Sequence, residues 1–172
     1  MNDDSNVGAN EPEREKAWRH ALRPGDVYLQ SPNIHEVRAF NLLAAHANAS
    51  IIVFLQGDNC LPISTDWLVD AIHVFGALPK VAVIGGHNGL MDITNDRSPI
   101  FGPFPRRSPI PRTLGGRQIP FVHTTFVNMG PYFARRETFL RLGGFDLRWG
   151  QSGEPGGWFC IELSMRAWFA GH

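Results

Sequence analysis

The sequence predicts an α/β domain built on a mostly parallel, doubly wound sheet with helices on both faces. Three observations predict it. The run Ile51-Ile52-Val53-Phe54-Leu55 is continuously apolar, as in a strand covered on both faces. A second such run, Val81-Ala82-Val83-Ile84-Gly85-Gly86, follows about one helix later. Between and before them, apolar residues recur at helical spacing, which gives the order strand, helix, strand, helix, strand and calls for right-handed crossovers.

Taken in order, residues 10–23 carry the punctuation of a helix. Asn10 stands as N-cap, Pro12 in the first turn, Glu13 three residues after the cap, and Arg19, His20 and Arg23 near the end. Pro24-Gly25 stops it, and Asp26 to Gln30, with Val27, Tyr28 and Leu29, reads as a short strand. Val37, Phe40, Leu43, Ala44 and Ala47 trace one face of the next helix, so Phe40 is expected in the core. Trp67, Leu68, Ala71, Ile72, Phe75 and Leu78 trace another, capped by Ser64 or Thr65 and ended by Pro79-Lys80. Residues 95–120, rich in Pro, Arg and Gly, read as a long loop, either functional or simply disordered. Phe121 to Phe133 reads as an extended segment, and Trp158 to Ala170 as a last helix in which Glu162 and Arg166 share a face at i,i+4.

Composition narrows the function. With 172 residues and 43% hydrophobic content, the chain fits one domain over 1–172 and can bury on the order of 70% of its unfolded surface. Sixteen basic and sixteen acidic residues balance to zero, which argues against a nucleic-acid partner and against bulk attraction to anionic lipid. No apolar run approaches the roughly 18 residues of a membrane span, and Met1-Asn2-Asp3-Asp4 is acidic where a signal peptide is basic. Cys60 and Cys160 have neither disulfide nor metal-ligand spacing and point to a reducing compartment. A cytoplasmic setting is favoured, with the Golgi as the alternative for a longer, anchored protein.

The candidate chemistry sits at the end of the first apolar run. Gly57 lets the backbone turn, and Asp58-Asn59 present hard oxygen ligands at the carboxyl end of a strand, where open α/β sheets bind ligands. The alternative reading is a plain turn, which Asn and Asp also favour. The glycines at 85, 86 and 89 do not make a dinucleotide fingerprint, because Ile84 stands where its first glycine belongs.

Gln56-Gly57-Asp58, then Pro62, then Trp67-Leu68, and above all Arg135-Arg136-Glu137-x-Phe139-x-x-x-Gly143-Gly144-Phe145-Asp146, resemble the family-2 glycosyltransferases. The resemblance runs along nearly the whole chain. It implies a nucleotide-sugar transferase of the GT-A fold, with a divalent cation, Mn2+ or Mg2+, and a sugar donor of the UDP-sugar type held at the strand end. It further implies a hexosyl- or N-acetylhexosaminyl-transferase acting on a carbohydrate, protein or lipid acceptor. Asp58 falls on the direct metal ligand, while Gln56 replaces the family's first Asp. Asp3-Asp4-Ser5-Asn6 resembles the segment that contacts ribose and base, or else is an acidic tail.

Asn33, Ala39 and Asn41 match a segment near the diphosphate, where His35 and Phe40 replace Gly and Arg, and Arg38 is a substitute cation. The resemblance places Gly143, Gly144, Phe145 and Asp146 on the acceptor side, with residues 95–120 as a mobile acceptor-side loop. It also aligns Glu162 with one helix acid but puts Phe159 and Cys160 where the catalytic pair stands. Glu154 and Glu162 are then the candidate bases, with Glu162 alternatively a structural partner of Arg166. The family's domain extends past both ends of these residues, so a partial catalytic domain is expected. The rival readings are an inactive nucleotide- or glycan-binding module and a truncated fragment.

Overall fold

A computed structural model describes residues 2–3, 11–56, 61–85, 110–121, 123–124, 126–151, 154 and 156–172. In chain order these form β1 (Asn2–Asp3), α1 (Glu11–Ala21), β2 (Gln30–Ser31), α2 (His35–His46), β3 (Ile51–Phe54), α3 (Asp66–Ala77), β4 (Val83–Gly85), β5 (Ile110–Leu114), β6 (Arg117–Phe121), β7 (Tyr132–Arg135), α4 (Arg136–Arg141) and α5 (Phe159–Phe169). A 3-10 turn over Leu147–Trp149 links α4 to the segment before α5. No helix among the described residues is long and apolar enough to cross a membrane.

The expected mostly parallel, doubly wound GT-A sheet is overturned. The described strands build small and mainly antiparallel sheets, the central one in the order β3-β7-β4. β7 lies between β3 and β4 and runs antiparallel to both. An apolar run reports that a strand is covered on both faces, not which way its neighbour runs. Tyr132-Phe133-Ala134-Arg135 therefore left no trace of its direction in the pattern. The cover on the two faces is real. Ile52 and Phe54 join a cluster with α2, α4 and α5 on one side, through Phe40, Phe139 and Leu163. Ile51, Val53 and Phe133 meet Ala71 and Phe75 of α3 on the other.

Three smaller expectations are corrected. Of the strand expected over Asp26 to Gln30, only Gln30 pairs, together with Ser31, against the two-residue β1. Val27 is left exposed, with no sheet face to cover. Residues 110–120 of the expected loop form a hairpin, because Gly115 and Gly116 adopt φ +57° and +81°, the left-handed pair that a tight two-residue turn requires. Its Pro111 and Pro120 face each other, tolerable in a two-stranded ribbon whose outer edges need no donors. Residues 95–109 lie outside the described residues. Ile72, expected on the buried face of α3, is exposed, while Trp67 packs edge-on against Phe133 at 5.5 Å.

The run from β7 through α4 anchors the layers. Arg135 donates from Nε to the Val81 carbonyl at 2.8 Å and from Nη2 to the Phe75 and Leu78 carbonyls, closing the end of α3. Arg136 reaches the opposite side and donates to the Ala44 and Ala45 carbonyls at 3.2 Å, near the end of α2. Two consecutive arginines, Arg135 ending β7 and Arg136 opening α4, thus serve two helices, each with a cation at a carboxyl end.

α4 ends in a reciprocal turn. Gly143 N–H donates to the Leu140 carbonyl and Gly144 N–H to the Phe139 carbonyl, with φ +89° at Gly143 and +70° at Gly144. Phe145, 1% exposed, then inserts among Phe40, Phe54, Tyr132, Phe139 and Phe159 at ring-centroid distances of 4.9–6.2 Å.

The two glycines are expected to differ in their tolerance of alanine. A Cβ on Gly144 would stand 2.6 Å from Asn41 Oδ1, whereas one on Gly143 would meet only Arg166 Nη1 at 3.9 Å. Gly143→Ala should cost about 1 kcal/mol of left-handed strain, and Gly144→Ala about 3 kcal/mol or more because an anchored side chain must also move. Urea unfolding of both variants checks this; equal losses would contradict it.

Candidate functional site

The ends of β3 and β4 lie level, since Phe54 and Gly85 both pair with Tyr132 across β7. Each is antiparallel to β7, so the two share a direction and deliver their carboxyl ends to one edge. Past Phe54 the chain continues through Leu55 to Gln56, the last described residue before the gap at 57–60. Asp58, the expected metal ligand, lies outside the described residues, as does Asp4.

The first turn of α2 meets this edge. Gln56 Nε2 donates to Glu36 Oε1 at 2.5 Å. α2 begins without a side-chain cap at Ile34. Around its start, Asn33 and the first helical residue His35 hold left-handed backbone, φ +30° and +56°, a conformation Asn and His adopt more readily than most. Asn33 Oδ1 and Arg38 Nε are buried atoms with no hydrogen-bond partner among the described residues. Unsatisfied buried polar atoms are uncommon, and backbone strain concentrates at functional sites. Asp3 is tied in from the other side, its main chain opposite Ser31 in the β1–β2 pair.

The next residue of α2, Val37, carries the segment before α5. A Cβ on Gly150 would stand 2.8 Å from Val37 Cγ2, and one on Gly156 would overlap that methyl and press on the Trp149 carbonyl at 3.1 Å. Only glycine allows this approach. Gly157 N–H donates to the Trp149 carbonyl at 3.0 Å, so both ends of the segment are brought together. Glu154 sits within it, exposed. Trp158, at φ +64°, turns the chain into α5. There Cys160, buried, donates to Asn128 Oδ1 at 3.1 Å. Burial is the main reason its thiol titrates above the ordinary range, and the Glu36 charge pushes the same way.

The remaining sequence candidates hold architecture. Glu162 accepts from Arg166 with both oxygens, at 2.7 and 2.5 Å, and Arg166 continues to the Leu142 and Gly144 carbonyls. That ion pair clamps α5 to the turn containing Gly143 and Gly144. Phe145 lies in the core beneath. Asp146 caps the 3-10 turn, accepting from Arg148 N–H at 2.9 Å and from its guanidinium, which lowers the Asp146 pKa to about 2. Phe159 and Cys160 are both buried.

The structure thus brings Gln56 to α2, and through Val37 brings α2 to the segment bearing Glu154; Glu162 is turned toward Arg166. Glu36 escaped sequence reasoning, and Asn41 was read for its place near the diphosphate rather than for its structural role. Glu36 has no local signal beyond an acid in a first helical turn, and Asn41 reveals its bonds to Phe145 only in three dimensions.

Among the described residues no group of three His, Cys, Asp or Glu side chains could hold a metal. At the strand end the Glu36 carboxylate and the Gln56 carboxamide are engaged with each other. In comparisons with known proteins, no family model, no curated protein and no solved structure matches the chain.

Gly156→Ala should loosen the Glu154 segment, raising proteolytic cleavage within 150–157, and Val37→Ala should partly rescue it by vacating the methyl. Limited proteolysis of the two single variants and the double variant measures this. Cleavage in the double variant equal to the sum of both single effects would contradict the contact.

Proposed function

We propose that the chain is a glycosyltransferase of the family-2 kind, moving a hexosyl or N-acetylhexosaminyl group from a nucleotide-sugar, of the UDP-sugar type, to a carbohydrate, protein or lipid acceptor. One observation carries the reading: the ends of β3 and β4 share one sheet edge, the first turn of α2 meets it through Glu36 and Gln56, and Val37 of that turn packs against Gly150 and Gly156, on either side of Glu154. The sequence run from Arg135 to Asp146 supports it independently. A cytoplasmic setting suits the free Cys160 thiol.

The donor diphosphate lies at the end of β3, against Gln56 and the amino end of α2, where the positive end of the helix dipole favours an anion. Asp58 would hold a divalent cation there, which when bound neutralises charge on the departing diphosphate. Asn33 and Arg38 offer a buried acceptor and a buried donor to the nucleotide. The bond from the sugar's anomeric carbon to the phosphate oxygen breaks, that carbon bonds to the acceptor oxygen, and the acceptor's proton passes to a carboxylate. Glu154 suits that role, being exposed between two glycines that pack on α2, while Glu162 is engaged with Arg166.

The second reading is an inactive nucleotide- or glycan-binding module. It is favoured by the burial of Phe159 and Cys160 where the resembling family carries acids.

A thermal-shift panel of nucleotides and nucleotide-sugars, with and without Mn2+, tests the donor site. Saturation at a hundredfold excess over Kd should raise the melting temperature by about 5–10 °C, and Asp58→Ala should abolish the Mn2+-dependent part. Glu154→Gln should lower transfer about 100-fold or more. Nucleotide binding without transfer to any acceptor would favour the binding module; no shift in a folded sample would overturn both readings.

A further inference from the structure

We propose that Trp149 is the platform of the acceptor, stacking its indole on a sugar ring, so that of the acceptor classes left open above the chain takes a carbohydrate. The inference rests on the glycosyl-transfer reading and deepens it. The phenylalanines that flank Trp149 in sequence go inward, Phe145 at 1% exposed and Phe159 at 3%. Trp149 stays 43% exposed although its backbone is fixed on both sides. Its N–H donates to the Asp146 carbonyl at 3.1 Å, and its carbonyl accepts from Gly157 N–H at 3.0 Å. Asp146 caps the same turn by accepting from Arg148 N–H at 2.9 Å, and Gly150 packs on Val37. A large aromatic on an anchored backbone loses little freedom when a ligand covers it, which is what a binding platform requires.

The chemistry of the same loop selects the ligand. The hydrogen bond from Gly157 to Trp149 closes a loop that carries Glu154, whose own N–H donates to the Gln151 carbonyl at 3.2 Å. The loop enters α5 through Trp158 at φ +64°, backbone that a bulky residue holds only where its surroundings impose it. Arg148, the cation next to Trp149, is engaged by Asp146, so what the loop presents is an aromatic face and a carboxylate. The electronegative face of an indole attracts the C–H side of a pyranose, and a carboxylate accepts hydrogen bonds from its hydroxyls. A sugar ring satisfies both groups at once. A lipid tail would cover the indole but offer Glu154 no donor.

The test follows the indole N–H signals of the five tryptophans in the full chain by NMR. The protein is titrated with the methyl glycosides of glucose, galactose and N-acetylglucosamine, and separately with sorbitol and a short-chain phosphatidylcholine. Loss of one signal in Trp149→Phe identifies that of Trp149. It should move saturably with at least one glycoside at millimolar concentration, while the other tryptophan signals stay in place. Saturation transfer to the sugar protons reads affinity in the variants: Trp149→Ala should weaken binding about tenfold, and Trp149→Phe, which keeps an aromatic face, about threefold at most. A merely structural indole would lower the melting temperature of Trp149→Ala without changing the glycoside affinity of the folded protein, and that result overturns the inference. Should Trp149→Ala not fold, the wild-type titration decides: a Trp149 signal that no glycoside moves, or that sorbitol or phosphatidylcholine moves as far, overturns the proposal. Stabilisation by a nucleotide with no response to any glycoside sinks this inference alone, whereas a response to glycosides with no stabilisation by any nucleotide keeps the saccharide site and sinks the transferase reading.

Discussion

Two hydrogen bonds between the Asn41 carboxamide and the main chain of Phe145 hold the rest of this structure in register. Asn41 Oδ1 accepts from Phe145 N–H and Asn41 Nδ2 donates to the Phe145 carbonyl, each at 2.8 Å, across 104 residues of sequence. The amide satisfies donor and acceptor of a peptide unit that has left α4 and joins no strand, which would otherwise be buried unpaired at a cost of about 1–3 kcal/mol per group. Because only glycine fits beside Asn41 at position 144, the two bonds also dictate the turn that delivers Phe145 to the core.

From that point the architecture follows in both directions. Phe145 packs on Phe54 at 5.1 Å, which fixes the end of β3, and on Phe159 at 4.9 Å, which fixes the start of α5. Arg166 closes the same turn from below through the Gly144 carbonyl at 2.9 Å. Arg135 and Arg136, leaving β7 toward opposite faces, bind the ends of α3 and α2 to the sheet. The residues that most resemble a catalytic family in the sequence, from Arg135 to Asp146, thus act as a brace. What the brace holds includes the end of β3 and the start of α5, which flank the edge proposed to take the donor.

Legibility in the sequence tracked locality. The 3.6-residue spacing of Val37, Phe40 and Ala44 correctly marked the buried stripe of α2, and Glu162 and Arg166 pair as their i,i+4 spacing implies. The run Ile51 to Phe54 was readable as a covered strand, but its partner was not, because β7 lies about eighty residues away in sequence and an antiparallel neighbour buries the same side chains as a parallel one. The Gly115-Gly116 hairpin was legible in principle from its turn glycines, yet the surrounding prolines and arginines read as loop. Glu36 was hidden for a different reason: its meaning depends on Gln56, twenty residues on, and a hydrogen bond between two elements leaves no period.

The central claim is that these elements form one ligand edge. Hydrogen-exchange mass spectrometry of the full chain, with and without UDP and Mn2+, tests it most directly. The account predicts slowed exchange confined to residues 33–38, 54–60 and 154–160, with the β5–β6 hairpin and the far ends of α2 and α3 unchanged. Protection centred on the hairpin, or none at nucleotide concentrations that saturate a thermal shift, would contradict it.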